Sequence, residues 1–116
     1  MDRKLIYVAA KYGGDKKNKE LVEKAIRYFI NKDDESQTFQ RKTYISPIHT
    51  FNFLYDDTEY LEGLDYCLSL LDKCDECYML SNWKDSFGAK IEYGFCKGKG
   101  IPIKIIDVKK LEWSDF

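Results

Sequence analysis

A chain of 116 residues fits one domain, long enough to bury a core without disulfide or metal staples. Its 44% hydrophobic and 34% charged residues exclude a disordered chain, and a 16% aromatic share supplies large side chains to bury or stack. With 19 basic and 20 acidic residues interspersed, it offers no broad field to a nucleic-acid polymer or an anionic membrane, and neither is expected as a partner.

In chain order, the apolar run Leu5 to Ala10 is too short for a signal segment or a membrane span. It reads as a buried first strand that ends in the tight loop Gly13-Gly14. A cytoplasmic protein with reduced cysteines is expected, so Cys74 and Cys77, with Cys67 and Cys96, read as structural thiols and no metal site is expected. Leu21, Val22, Ala25, Ile26, Phe29 and Ile30 recur at helical spacing, and the polar stretch from Asn31 to Lys42 closes that helix. Thr43 to Ser46 is a short strand stopped by Pro47, followed by an aromatic-rich loop. Leu61, Leu64, Leu68 and Leu71 mark a second helix, and Cys77 to Leu80 a third strand. A helix from about Ser86 to Lys97 stops at Gly98 and Gly100, and Ile101 to Ile106 makes a fourth strand. The tail from Lys109 to Phe116 has no assigned structure, although Trp113 and Phe116 call for a cover.

Strands alternating with helices predict a single α/β domain: a Rossmann-like parallel sheet of four or five strands with helices on both faces. Such sheets bind ligands beyond the carboxyl ends of their strands, so the loops after Ala10, Ser46 and Leu80 are expected to converge on one crevice. After Leu80, Ser86, Gly88 and Glu92 share the entry of a helix. Gly88 and Glu92 are one turn apart, which places the Glu92 carboxylate over bare Gly88 backbone where a ligand can approach. The helix dipole favours the ionised carboxylate, which suits a nucleophile. The same spacing also describes an N-cap serine, a packing glycine and a solvated charge, and spacing does not choose between these.

These residues carry a resemblance. Ser46 to His49, Cys74-Asp75, and Trp83 to Glu92 match a pattern of Ser-Pro-Ile-His, then Cys-Asp, then Trp-x-x-Ser-x-Gly-Ala-x-x-Glu. With Ile6-Tyr7-Val8-Ala9 at the start and Gly100-Ile101-Pro102-Ile103 at the end, the chain resembles the nucleoside 2-deoxyribosyltransferase superfamily, above all its short DUF4406- and DUF1937-like members. The resemblance implies that Glu92 attacks the anomeric carbon of a nucleoside or nucleotide N-glycoside, with Asp65, or failing it Asp72, assisting at the base or the sugar, and Tyr7 orienting the nucleophile. A surface role for Asp65 and a core role for Tyr7 are the alternatives. Lys11, Gly13 and Gly14, with Lys16 and Lys17, occupy the loop where relatives hold a 5′-phosphate, although Ala10 and Lys11 replace the glycine and serine common there.

His49 is expected to contact ligand, and Phe51, Phe53, Tyr55 and Trp83 either stack on a nucleobase or pack a core or interface. The implied function is transfer or hydrolysis of a (deoxy)ribosyl group without cofactor, in a homo-oligomer with shared sites. The alternative is a nucleotide-sequestering protein that kept the pocket and lost turnover.

Overall fold

The first strand, β1 (Arg3–Ala9), is buried from Ile6 through Ala9, as a central parallel strand must be when both its faces are covered. The computed structural model describes residues 3–36, 41–54 and 59–112. Gly13 and Gly14 turn the chain at φ 57° and 77°, a region that favours glycine. Asp15 then caps α1 (Lys16–Ser36): its carboxylate accepts from the Lys17 backbone N–H at 2.8 Å. Val22, Ala25 and Phe29 form the buried stripe of α1. The helix runs past the expected end at Ile30, because its charged last turns are tied to β2 (Arg41–Ile45). Asp33 accepts from the Tyr44 hydroxyl and lies 3.8 Å from the Lys42 ammonium.

In place of a loop, Ser46 caps a short helix, α2 (Pro47–Phe51), and a 3-10 turn at Asn52–Leu54 follows. Next come α3 (Tyr60–Leu71), β3 (Glu76–Leu80) and a 3-10 turn at Ser81–Asp85. The last elements are α4 (Phe87–Lys99), β4 (Ile103–Ile106) and α5 (Val108–Glu112). Gly100 ends α4 in the left-handed region at φ 77°. Tyr55, Trp113 and Phe116 lie outside the described residues.

All strand pairs are parallel, in the order β2-β1-β3-β4, with Tyr7 opposite both Ile45 and Cys77. The alternation of β1 divides the core. Ile6 and Val8 pack with α1, Ile48 and Leu111 on one face. Tyr7 and Ala9 pack with Leu71, Cys77, Met79 and Cys96, from α3, β3 and α4, on the other. Cys74, Cys77 and Cys96 are buried in that second layer as free thiols, which fits their reading as structural residues. No helix among the described residues is long and apolar enough to cross a membrane. The chain winds from β1 out to β2 and then crosses back over β1 to β3, so the winding reverses between β1 and β3. An open sheet leaves its ligand crevice at such a reversal.

Candidate functional site

Glu92 stands at that reversal. It lies on the sheet-facing side of α4 and is only 5% exposed. The Tyr7 hydroxyl, rising from β1, donates to its Oε2. Among the described residues no cation pairs with Glu92, and burial pushes its carboxyl up to about 7 while the Tyr7 hydrogen bond pulls it down. This corrects the expectation that the helix dipole keeps Glu92 ionised. Glu92 sits beyond the first turn of α4, where the dipole has faded, and desolvation dominates. Burial, reinforced by the negative charge of Glu92, holds the Tyr7 hydroxyl well above its ordinary value. The same two causes push the neighbouring Cys67 thiol up to about 11.

Above this pair opens a cleft of about 460 Å³, walled by the loop after β1, by α2, by one face of α3 and by the entry of α4. Ser86, Gly88 and Glu92 all face it. Ser86 is also the N-cap of α4, accepting from the Ala89 N–H at 3.1 Å, so its two readings hold together. Lys11 and Gly13 line the cleft as well, and the Lys11 backbone N–H points at Asn82 Oδ1, 3.4 Å away across the β1–β3 gap.

Several expected residues are placed elsewhere, among them Lys16, Lys17 and the exposed Phe53, which do not line the cleft. Asp65 lies on the exposed side of α3, whose Gly63, Leu64 and Cys67 face the cleft. Asp72 ends α3 and pairs with Lys99 at 3.3 Å. Gly14 shapes the turn without lining the cleft. Trp83 stacks on Tyr93, with ring centroids 4.6 Å apart and planes 12° from parallel, in the layer behind the cleft. The His49 ring ties α2 to α1: Nδ1 lies 2.8 Å from Ser46 Oγ and Nε2 2.7 Å from Glu23, whose carboxyl it holds below the usual range. Neither His49 nor Trp83 lines the cleft.

A family model described as a domain of unknown function (DUF4406) matches residues 4–105. The chain belongs to the DUF4406 family. Neither a curated protein nor a solved structure matches it. The DUF4406 match runs from β1 into β4 and so includes Tyr7, Glu92 and every wall of the cleft, while α5 falls outside it.

Within this DUF4406 domain the cleft gains residues that the sequence reading passed over. Glu59, at the head of α3, and Asp85, beside the Ser86 cap, bring two more carboxylates. Asp85 stands inside the quoted motif and was legible by position, whereas Glu59 carries no local signal. Phe51, one of the expected aromatic candidates, and Cys67, expected only as a structural thiol, complete the wall, and the Phe51 ring stacks on Tyr66 at 5.9 Å. Among the described residues no group of three or more His, Cys, Asp or Glu side chains is placed to hold a metal ion.

Proposed function

We propose that the cleft binds a nucleoside- or nucleotide-sized N-glycoside and that Glu92 is the nucleophile that cleaves it. One observation carries this reading: a carboxylate buried without a cation among the described residues, oriented by a tyrosine hydroxyl, beneath a ligand-sized cleft. A fold gains nothing in stability from such a group, and perturbed acids in clefts are where chemistry concentrates.

Attack of a Glu92 oxygen on the anomeric carbon forms a C–O ester bond as the C–N bond breaks, its electron pair leaving with the base. Water or a second base then takes the sugar from the ester, and Glu92 returns as carboxylate. Tyr7 holds the attacking group in position and stabilises its charge. Gly88 leaves room for the sugar above α4, and Phe51 offers a ring to a base. Asp65 has no place in this scheme, since it faces away from the cleft. A second copy of the chain covering the exposed Phe53 and Leu61, which lie in segments that wall the cleft, completes the proposal as a homo-oligomer. Light scattering that finds a monomer at micromolar concentration rejects that part.

The test is Glu92→Gln, which keeps shape and removes the attacking charge. Base release, followed by chromatography, should fall on the order of 10³-fold with affinity little changed. If the wild-type protein binds nucleosides or nucleotides and returns all of them intact, the sequestering reading replaces the enzymatic one.

A further inference from the structure

Three observations limit what the cleft accepts. The first is charge. Glu59, Asp85 and Glu92 line it against a single cationic side chain, Lys11, among the described residues. A carboxylate surplus around a partly desolvated cleft attracts positive ligands and repels negative ones, and the low dielectric strengthens both effects.

The second lies in the loop after β1, the expected place for a phosphate. The Asp15 carboxylate already takes the Lys17 N–H at the head of α1, and the Asp15 N–H donates to the Tyr12 carbonyl at 2.9 Å. An acid thus takes a donor at the helix end where a phosphate would bind, and neither Lys16 nor Lys17 lines the cleft to offset it.

The third concerns the leaving group. Apart from Cys77 and Cys96, which are buried in the core layer beneath, the titratable side chains that bear on Glu92 are Tyr7, which spends its proton on Glu92, and Cys67. Both hold their protons tightly, so neither is matched to protonating a departing neutral base at neutral pH.

We infer that the preferred substrate is an N-glycoside with a positively charged base and no 5′-phosphate, either a pyridinium riboside or a ring-alkylated purine nucleoside. This rests on the glycosidic reading above. Such a base needs no acid. When the C1′–N bond breaks, its electron pair returns to the ring nitrogen and neutralises the cation, while the Glu92 oxygen bonds to C1′. Water then hydrolyses the ester to free sugar and releases one proton.

The experiment compares nicotinamide riboside, 7-methylguanosine, inosine and nicotinamide mononucleotide as substrates of the full chain, with base release read by chromatography. At least one cationic nucleoside should be cleaved ten-fold or more faster, in kcat/KM, than inosine and than the mononucleotide; whichever it is identifies pyridinium or purine as the class. The double variant Glu59→Gln with Asp85→Asn should raise KM for that substrate several-fold more than it raises KM for inosine. Inosine cleaved as fast as the cationic nucleosides, or the mononucleotide preferred, overturns this inference and leaves the glycosidic reading standing. Cleavage of none of the four overturns this inference, and the glycosidic reading falls with it when 2′-deoxynucleosides are returned intact as well.

Discussion

Tyr7 and Glu92, 85 positions apart in sequence, meet through a hydrogen bond that joins the central strand to the helix after β3. The bond is possible because β1 and β3 pair in register, with Tyr7 opposite Cys77, while α4 packs over that pair with Cys96 one turn beyond Glu92. Tyr7 thus touches the proposed nucleophile directly, and its burial fixes where that carboxyl group lies.

Tyr7→Phe removes the single interaction that pulls the Glu92 carboxyl down against burial. The carboxyl should rise above about 7, so less nucleophile is ionised at neutral pH. The acidic limb of the pH–rate profile should move to higher pH, with kcat at pH 7 lower by about ten-fold and partial recovery at pH 9. A variant that loses activity equally at every pH would show that Tyr7 acts through packing alone.

Phe51 and Trp83 separate ligand contact from core packing. Phe51→Ala should raise KM with little loss of fold stability, because Phe51 walls the cleft. Trp83→Ala should cost about 3 kcal/mol or less in unfolding free energy and leave KM unchanged, because Trp83 packs on Tyr93 behind the cleft. Denaturant titration and steady-state kinetics on both variants decide it.

Much of this was legible in sequence because a parallel sheet writes its core as unbroken apolar runs. Leu5 to Ala10 and Cys77 to Leu80 announce β1 and β3, and Ser86, Gly88 and Glu92 announce the entry of α4. What failed depended on which way a helix faces. Asp65 sits among residues whose neighbours line the cleft, and a single turn of α3 decides which side each takes. His49 resembled a ligand contact because its partner Glu23 lies 26 positions away on α1, a contact without local signature. The state of Glu92 was misread for a related reason: a helix dipole is visible in sequence, but the depth of burial that overrides it is set by packing from β1 and α3.

Gly100 is a test of the chain reversal into β4. Its φ of 77° is unfavourable for other residues, and no atom lies within 4 Å of where a Cβ would stand. Gly100→Ala should therefore cost about 1 kcal/mol through backbone conformation alone, without a clash. Thermal unfolding should show a drop of a few degrees, with turnover unchanged.

Cys67 reports on the occupied cleft. Its thiol faces the cleft but is pushed up to about 11, so alkylation at pH 7.5 should be slow compared with a free cysteine. Ligand should slow it further, and Cys67→Ala should remove the ligand-sensitive part. Mass spectrometry of iodoacetamide-treated protein, with and without ligand, measures this; labelling of Cys67 that ignores ligand would place the binding site elsewhere.

Stability against pH gives the most direct reading of Glu92, because it needs no substrate. Its folded carboxyl, at about 7, lies above the ordinary value of 4.5. Below about pH 4.5 both the folded and the unfolded chain are protonated at this site, and it costs nothing. As pH rises toward 7 the unfolded chain gives up its proton while the folded one keeps it, so stability falls across that window and the full penalty holds above it. At about 1.4 kcal/mol for each ten-fold in the protonation equilibrium, the ionised side chain costs on the order of 3 kcal/mol at pH 8. Glu92→Gln should thus match the wild-type protein near pH 4.5 and exceed it by up to that amount at pH 8, a gain in stability joined to a loss of function. Urea unfolding of both proteins at several pH values measures the difference. Two parallel curves, with no divergence between pH 4.5 and 7, would mean that Glu92 is not held in the protonated form that its burial demands.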